Sequence, residues 1–197
     1  MANYTREDVI EFLRTIKSTS DEFIWVRLLH VDIDVQVDSD DIADEGGIGL
    51  YFNQQIEEYT DDDELQDYIK EEITNHDWIL VDWEGTLTSH YANQYGFDAV
   101  KYQEAVDTCN ANPTMTTEVI KACLECFGDA CNLSEALENY QGEFKDDTEL
   151  AYQQVEDSCL LEGVSETVKQ YFDYELFGRD LAINDFCSYD GHYFRNC

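Results

Sequence analysis

The chain has 197 residues, with 45 Asp and Glu against 11 Lys and Arg, a formal net charge of −34 at pH 7. A surface of that sign repels phosphates and anionic lipid, which argues against direct binding to nucleic acid or to a membrane. With 43% hydrophobic residues, 13% aromatic residues and one Pro, the chain is no acidic disordered tail and has the material for a core.

The N-terminal MANYTREDVIEFLRTIK reads as an amphipathic helix over about 6–17, opened by Thr5, with Val9, Ile10, Phe12, Leu13 and Ile16 on its apolar face. It has no continuous apolar core of a secretory leader, and no run of about 18 apolar residues follows it anywhere. The chain is therefore expected in the cytoplasm, with its seven cysteines reduced.

In FIWVRLLHVDIDVQV, residues 23–37, Val31, Ile33, Val35 and Val37 alternate with Asp32, Asp34 and Gln36, a half-buried strand with an acidic outer face. GGIGLYF predicts another strand over 48–52. The stretch EEYTDDDELQDYIKEEI, residues 57–73, follows, and nine of its seventeen residues are acids. Leu65, Tyr68, Ile69 and Ile73 make a helical stripe through it, with Thr60 as its cap. Asp61, Asp62 and Asp63 sit in its first turn, where the helix dipole favours acids. WILVDW, 78–83, predicts a further strand.

Residues 97–139 read as helical throughout, in pieces near 98–109, 116–127 and 133–139, with Gly128 placed to end the second. A helix near 148–159 and another over 166–177 follow. The closing DFCSYDGHYFRNC reads as a hairpin turning at Asp190-Gly191. The expected fold class is α+β with short antiparallel sheets, in an elongated chain of three small units (α/β, all-α, α/β). The expected boundaries are a helical extension at 1–20, an N-terminal α/β domain at 21–90, a central helical domain at 91–139 and a C-terminal α/β domain at 140–197.

The sequence offers no catalytic constellation. There is no phosphate-binding loop, and DSDDIADEGGIG has Ala43 where a calcium loop needs its turn glycine and Gly49 where it needs the closing Glu. His30, His76, His90 and His192 are scattered. Four cysteines cluster in sequence (Cys109, Cys123, Cys126 and Cys131), but Cys123 and Cys126 lie on one apolar helix face with Val119, Ile120, Leu124 and Phe127 and read as core. No enzyme activity, metal or cofactor is expected.

The charge itself is the main signal. B-DNA carries one charge per roughly 1.7 Å of axis, so 34 charges correspond to about 58 Å of duplex. A compact chain of this length has a radius of gyration of about 16 Å, so a stretched body would approach the charge density of DNA. Composition alone admits a nucleic-acid mimic, a halophile surface or a cation buffer.

Motifs decide among these. SETVKQYFDYELFGRDL, 165–181, resembles the signature of the ArdA antirestriction family, as do the lead-in ALENYQGEF, 136–144, and the closing GHYFRN, 191–196. DWILVDWEG, 77–85, is similar to the family's strand with its Asp-aromatic-Glu-Gly turn. The resemblance implies an inhibitor carried by phages or mobile elements, acting in the bacterial host cell. It implies elongated dimers whose surface carboxylates imitate phosphates and occupy the DNA groove of type I restriction-modification enzymes. A CRISPR effector or another nucleic-acid machine is the alternative target.

On this reading the mimic surface comprises Asp32, Asp34, Asp38, Asp40 and Asp41 on or beside the first acidic strand. Asp61, Asp62, Asp63, Glu64, Asp67, Glu71 and Glu72 supply it on the acid-rich helix. Tyr171, Phe172, Tyr174 and Phe177 of the signature are expected in the core or at a dimer contact, with Arg179 paired to Asp173, Glu175 or a neighbouring acid.

Overall fold

The computed structural model describes residues 4–112, 114–128 and 133–196. They fall into two compact units, Met1–Thr117 and Glu118–Cys197. Helices and short antiparallel sheets of two or three strands make an α+β fold. No helix among the described residues is long and apolar enough to cross a membrane.

The first unit begins with α1 (Arg6–Leu13). The Asp8 carboxylate reaches back to accept from the Thr5 N–H at 2.6 Å, one half of a capping box. The helix stops short of the predicted residue 17 because Thr15 turns back on it. Its N–H and hydroxyl both donate to the Phe12 carbonyl, at 2.9 and 2.6 Å. Val9, Phe12, Leu13 and Ile16 are buried in this unit's core.

The predicted strand at 23–37 is a hairpin of β1 (Phe23–Leu28) and β2 (Ile33–Asp38). The chain reverses through Asp32, which holds a left-handed φ of 55° that short acidic side chains tolerate. Ile24 faces Val37 and Val26 faces Val35 in the antiparallel register, and all four are buried. After α2 (Ser39–Asp44) comes α3 (Ile48–Tyr59), where a strand was expected. The buried set Ile48, Tyr51, Phe52 and Ile56 has helical spacing, and Gly46 and Gly47 at positive φ form the turn before it. The stretch 57–73 therefore ends one helix and builds the next, α4 (Asp63–Thr74), which buries Ile69 and Ile73.

The sheet is completed by β3 (Trp78–Glu84) in the order β2-β1-β3. Its register shifts where Trp25 faces Asp82 and Val26 faces Leu80, leaving Val81 as a bulge. The chain then turns at Gly85, φ 120°, into the single turn α5 (Thr88–Tyr91). The Glu22 carboxylate fills this turn, accepting from the N–H groups of Thr86, Leu87 and Thr88 at 2.6, 3.2 and 2.8 Å. A Cβ on Gly85 would overlap that carboxylate and lie 2.9 Å from the Glu22 Cα, so the Asp-Trp-Glu-Gly turn requires its glycine. A small hairpin, β4 (Ala92–Asn93) with β5 (Gly96–Phe97), leads to α6 (Ala99–Ala111). Tyr102 of α6 is fully buried, and its hydroxyl donates to Asp40 at 2.9 Å.

The second unit opens with α7 (Thr117–Phe127), which buries Val119, Ile120, Ala122, Cys123 and Leu124 and ends at Gly128, φ 73°. α8 (Leu133–Glu138) leads to β6 (Tyr140–Glu143) and α9 (Asp147–Asp157). The helix predicted over 166–177 is instead a single turn, α10 (Glu166–Lys169), and a separate α11 (Tyr174–Asn184). Asp173 separates them by capping α11, its carboxylate accepting from the Leu176 N–H at 2.9 Å. The closing hairpin is β7 (Phe186–Tyr189) and β8 (His192–Arg195). Asp190 at φ 48° and Gly191 at φ 83° form the expected two-residue turn. The sheet order is β6-β8-β7, and Leu150, Phe186 and Tyr193 pack as its core. The Tyr193 hydroxyl donates to Asp147 at 2.7 Å; burial and that carboxylate push the phenol up to about 12.

Candidate functional site

The acid-rich helix sorts its carboxylates into two kinds. Asp62 is the N-cap of α4, accepting from the Glu64 and Leu65 N–H groups at 3.1 and 3.2 Å, and also from the Tyr4 hydroxyl at 2.8 Å. The Tyr4 contact and those amides hold its carboxyl below the usual range. The cap is thus Asp62 rather than Thr60, whose hydroxyl accepts from the Asp62 N–H at 3.2 Å. Glu72 is half-buried and turned toward two histidines, His30 at 3.7 Å and His76 at 4.0 Å.

Asp61, Asp63, Glu64, Asp67 and Glu71 are different. All five are exposed, and none has an ion pair or a side-chain hydrogen bond among the described residues. Asp63, Asp67 and Glu71 recur every fourth residue, a row with about 6 Å of rise per step. Lys70, the one base on this helix, reaches the end of α3 instead and pairs with Glu57 at 2.8 Å.

The hairpin acids are more committed. Asp34 is gripped by its cross-strand neighbour Arg27 through two bonds of 2.6 and 2.7 Å, which lower its pKa and cancel its charge locally. Asp38 caps α2, accepting from the Asp40 N–H at 2.9 Å, and Asp40 accepts from Tyr102. Asp32 and Asp41 are exposed without such partners among the described residues. Partial burial, then the charges of Asp38, Asp40, Asp44 and Glu45, push the Asp41 carboxyl up. The apparent calcium loop is helical over Ser39–Asp44 and lacks the backbone course of such a loop.

In the signature block, Phe172, Tyr174 and Phe177 form a half-buried ring cluster. Tyr174 stacks on Tyr152 at 4.0 Å, and Phe172 meets Tyr174 at 4.8 Å and Phe177 at 5.4 Å. Tyr171 stands apart, 84% exposed. Arg179 lies 3.5 Å from Asp180, and both are exposed, so this pair is a weak surface contact. Gly178 is the buried member of the block and lies directly on the backbone of α9 at Asp147.

Among the cysteines, Cys123 is buried as expected. Cys126 is half-buried beside Cys187, and burial and that thiol push its own thiol up, which favours the protonated form. Cys131 lies outside the described residues. Sequence reading missed one constellation. His30 and His76 are 46 positions apart in the chain, yet the fold stacks their rings at 4.0 Å.

Residues 49–195, well over half of the chain, match the family described as antirestriction protein (ArdA). No curated protein matches the chain. The matched segment contains the acid row of α4 and the whole signature block, while the hairpin acids Asp32 to Asp41 precede it.

Proposed function

We propose, since this chain belongs to the ArdA family of antirestriction proteins, that it blocks a type I restriction-modification enzyme by presenting carboxylates in place of DNA phosphates. The observation that carries this reading is the set of exposed carboxylates on and just before α4 that have no partner among the described residues, on a helix held at its start by the Asp62 cap. Twelve helical residues span about 18 Å, and one DNA strand carries about five phosphates over that length. The helix brings five acids to the same span, Asp63, Glu64, Asp67, Glu71 and Glu72, and Asp61 and Asp62 stand just before it; Asp61, Asp63, Glu64, Asp67 and Glu71 have no competing partner among the described residues.

A groove lined with Lys and Arg gains affinity for DNA by releasing counterions. Fixed carboxylates supply the same contacts with no bases to read, so inhibition is independent of DNA sequence. The inhibitor also avoids the energy a bent DNA site must absorb. The reading needs no catalytic step and no cofactor, and it places the protein in the cytoplasm of the bacterial host, beside its target. A competition measurement with purified enzyme and labelled duplex tests it. The protein should displace DNA at low salt and lose that ability as salt rises. Undiminished DNA binding at a large excess of inhibitor overturns the restriction reading.

We also propose that the protein is a homodimer. The second unit exposes an apolar set, Tyr152, Val168, Tyr171, Leu176 and Ile183, of the kind that a partner copy covers. Light scattering should give twice the chain mass of 22.9 kDa in moderate salt. A monomer at micromolar concentration contradicts the proposal.

A further inference from the structure

The turn between β1 and β2 brings His30 against the end of α4. Its ring stacks on that of His76 at 4.0 Å with an interplanar angle of 19°. His30 Nε2 lies 3.7 Å from Glu72 Oε2, and one donor atom from each of His30, Glu72 and His76 lies within 4.8 Å of the others. The His30 side chain is only 13% exposed. Neither of its ring nitrogens has a hydrogen-bond partner among the described residues. Two buried ring nitrogens left unsatisfied are costly, and ring stacking alone does nothing to satisfy them. His76 is better defined. Its Nδ1 lies 2.8 Å from the Glu72 carbonyl oxygen. That oxygen can only accept, so Nδ1 carries a proton, and in the neutral ring the lone pair is on Nε2.

We infer that His30, Glu72 and His76 bind one divalent transition-metal ion of the zinc type. Two imidazoles and a carboxylate are donors that such an ion prefers, and the bond from His76 Nδ1 to a carbonyl is the outer contact that orients a ligating histidine. Bond lengths of about 2.0–2.2 Å set tetrahedral donors about 3.3–3.5 Å apart, so the donors would draw together from within 4.8 Å and the two stacked rings would turn until their in-plane lone pairs meet at the ion. His76 is 41% exposed, which leaves a solvent side for a fourth ligand. The surrounding excess of carboxylates raises the local concentration of cations. The ion would pin the β1–β2 turn to the last turn of α4, and binding only the folded chain, it would stabilise the first unit. This inference stands independently of the target of inhibition.

The test uses the full chain, stripped with a chelator and titrated with Co²⁺ in excess Mg²⁺ and moderate salt, which occupy the ordinary surface carboxylates. One Co²⁺ per chain should give the intense visible bands of a tetrahedral nitrogen and oxygen site. Zn²⁺ should abolish those bands and raise the melting midpoint. His76→Gln should lose both the bands and the rise while keeping a melting midpoint close to that of the stripped wild type, because the side chain is 41% exposed and a Gln amide can still donate to the Glu72 carbonyl; His30→Gln should lose the bands as well. Bands that persist in His76→Gln, a near-ultraviolet sulfur-to-cobalt transition that places the ion on cysteines, or no binding beyond that of Mg²⁺ would each overturn the inference.

Discussion

Gly178→Ala should destabilise the second unit by about 2 kcal/mol and lower its melting midpoint by roughly 10 °C. Two effects of opposite sign compete. Gly178 lies inside α11, where Ala is the better helix former by about 1 kcal/mol. Against this, its new Cβ would overlap the Asp147 carbonyl oxygen, lie 2.7 Å from the carbonyl carbon and lie 3.2 Å from the Ala151 Cβ. The first two are backbone atoms at the start of α9 and cannot swing aside as a long side chain would. Relieving the overlap requires the two helices to separate, at about 3 kcal/mol or more, so the clash outweighs the propensity. Gly49 supplies the contrast. It also sits in a helix, α3, but nothing lies within 4 Å of the place a Cβ would take, so Gly49→Ala should stabilise by about 0.5 kcal/mol. Circular-dichroism melts of both variants decide the matter. A Gly178→Ala midpoint within two or so degrees of wild type would mean that the α9–α11 contact is not held by this glycine.

Neutralising the outward row of α4 should weaken inhibition on the order of 100-fold at low salt while the fold survives. The substitutions are Asp61→Asn, Asp63→Asn, Glu64→Gln, Asp67→Asn and Glu71→Gln. Asp62 is left intact because it caps the helix and accepts from Tyr4, and Glu72 because it faces the histidine pair. The five altered side chains are exposed, and their loss relieves mutual repulsion, which offsets the few tenths of a kcal/mol that Asp63 and Glu64 contribute at the helix start. If each carboxylate replaces one phosphate, the slope of log affinity against log salt falls by up to about 4.5 for five contacts. Asp63→Asn alone should change affinity by less than about fivefold, because one screened surface charge contributes little. Affinity against salt for wild type, single and block variants separates a distributed array from a discrete lock. Loss of inhibition in the folded single variant would leave the distributed mechanism wrong.

Local periodicity and total charge carried everything that could be read from the residues alone. The stripe Leu65-Tyr68-Ile69-Ile73 and the Asp190-Gly191 turn each encode their element within a few residues and stand in the structure, and the alternation holds over Ile33-Val35-Val37 in β2, whereas Val31 falls in the turn that makes the stretch a hairpin. The excess of acids and the YFDYELFGRDL block pointed to the family that the match over 49–195 shows. The segment GGIGLYF, where a strand is expected, is a helix because its apolar spacing, Ile48-Tyr51-Phe52-Ile56, runs on past Phe52 to Ile56. The helix expected over 166–177 failed because Asp173 caps a new helix, which apolar spacing does not reveal.

Which carboxylates remain available is set by the folded chain. Asp34 and Asp63 are the same residue type on exposed faces. Asp34, however, meets Arg27 only because the hairpin register places them opposite each other, whereas Asp63 meets no partner among the described residues. The His30–Glu72–His76 cluster and the Gly178 contact with Asp147 likewise join positions far apart in the chain. Their distances depend on how sheets and helices close on one another, a long-range property that no local pattern of residues carries.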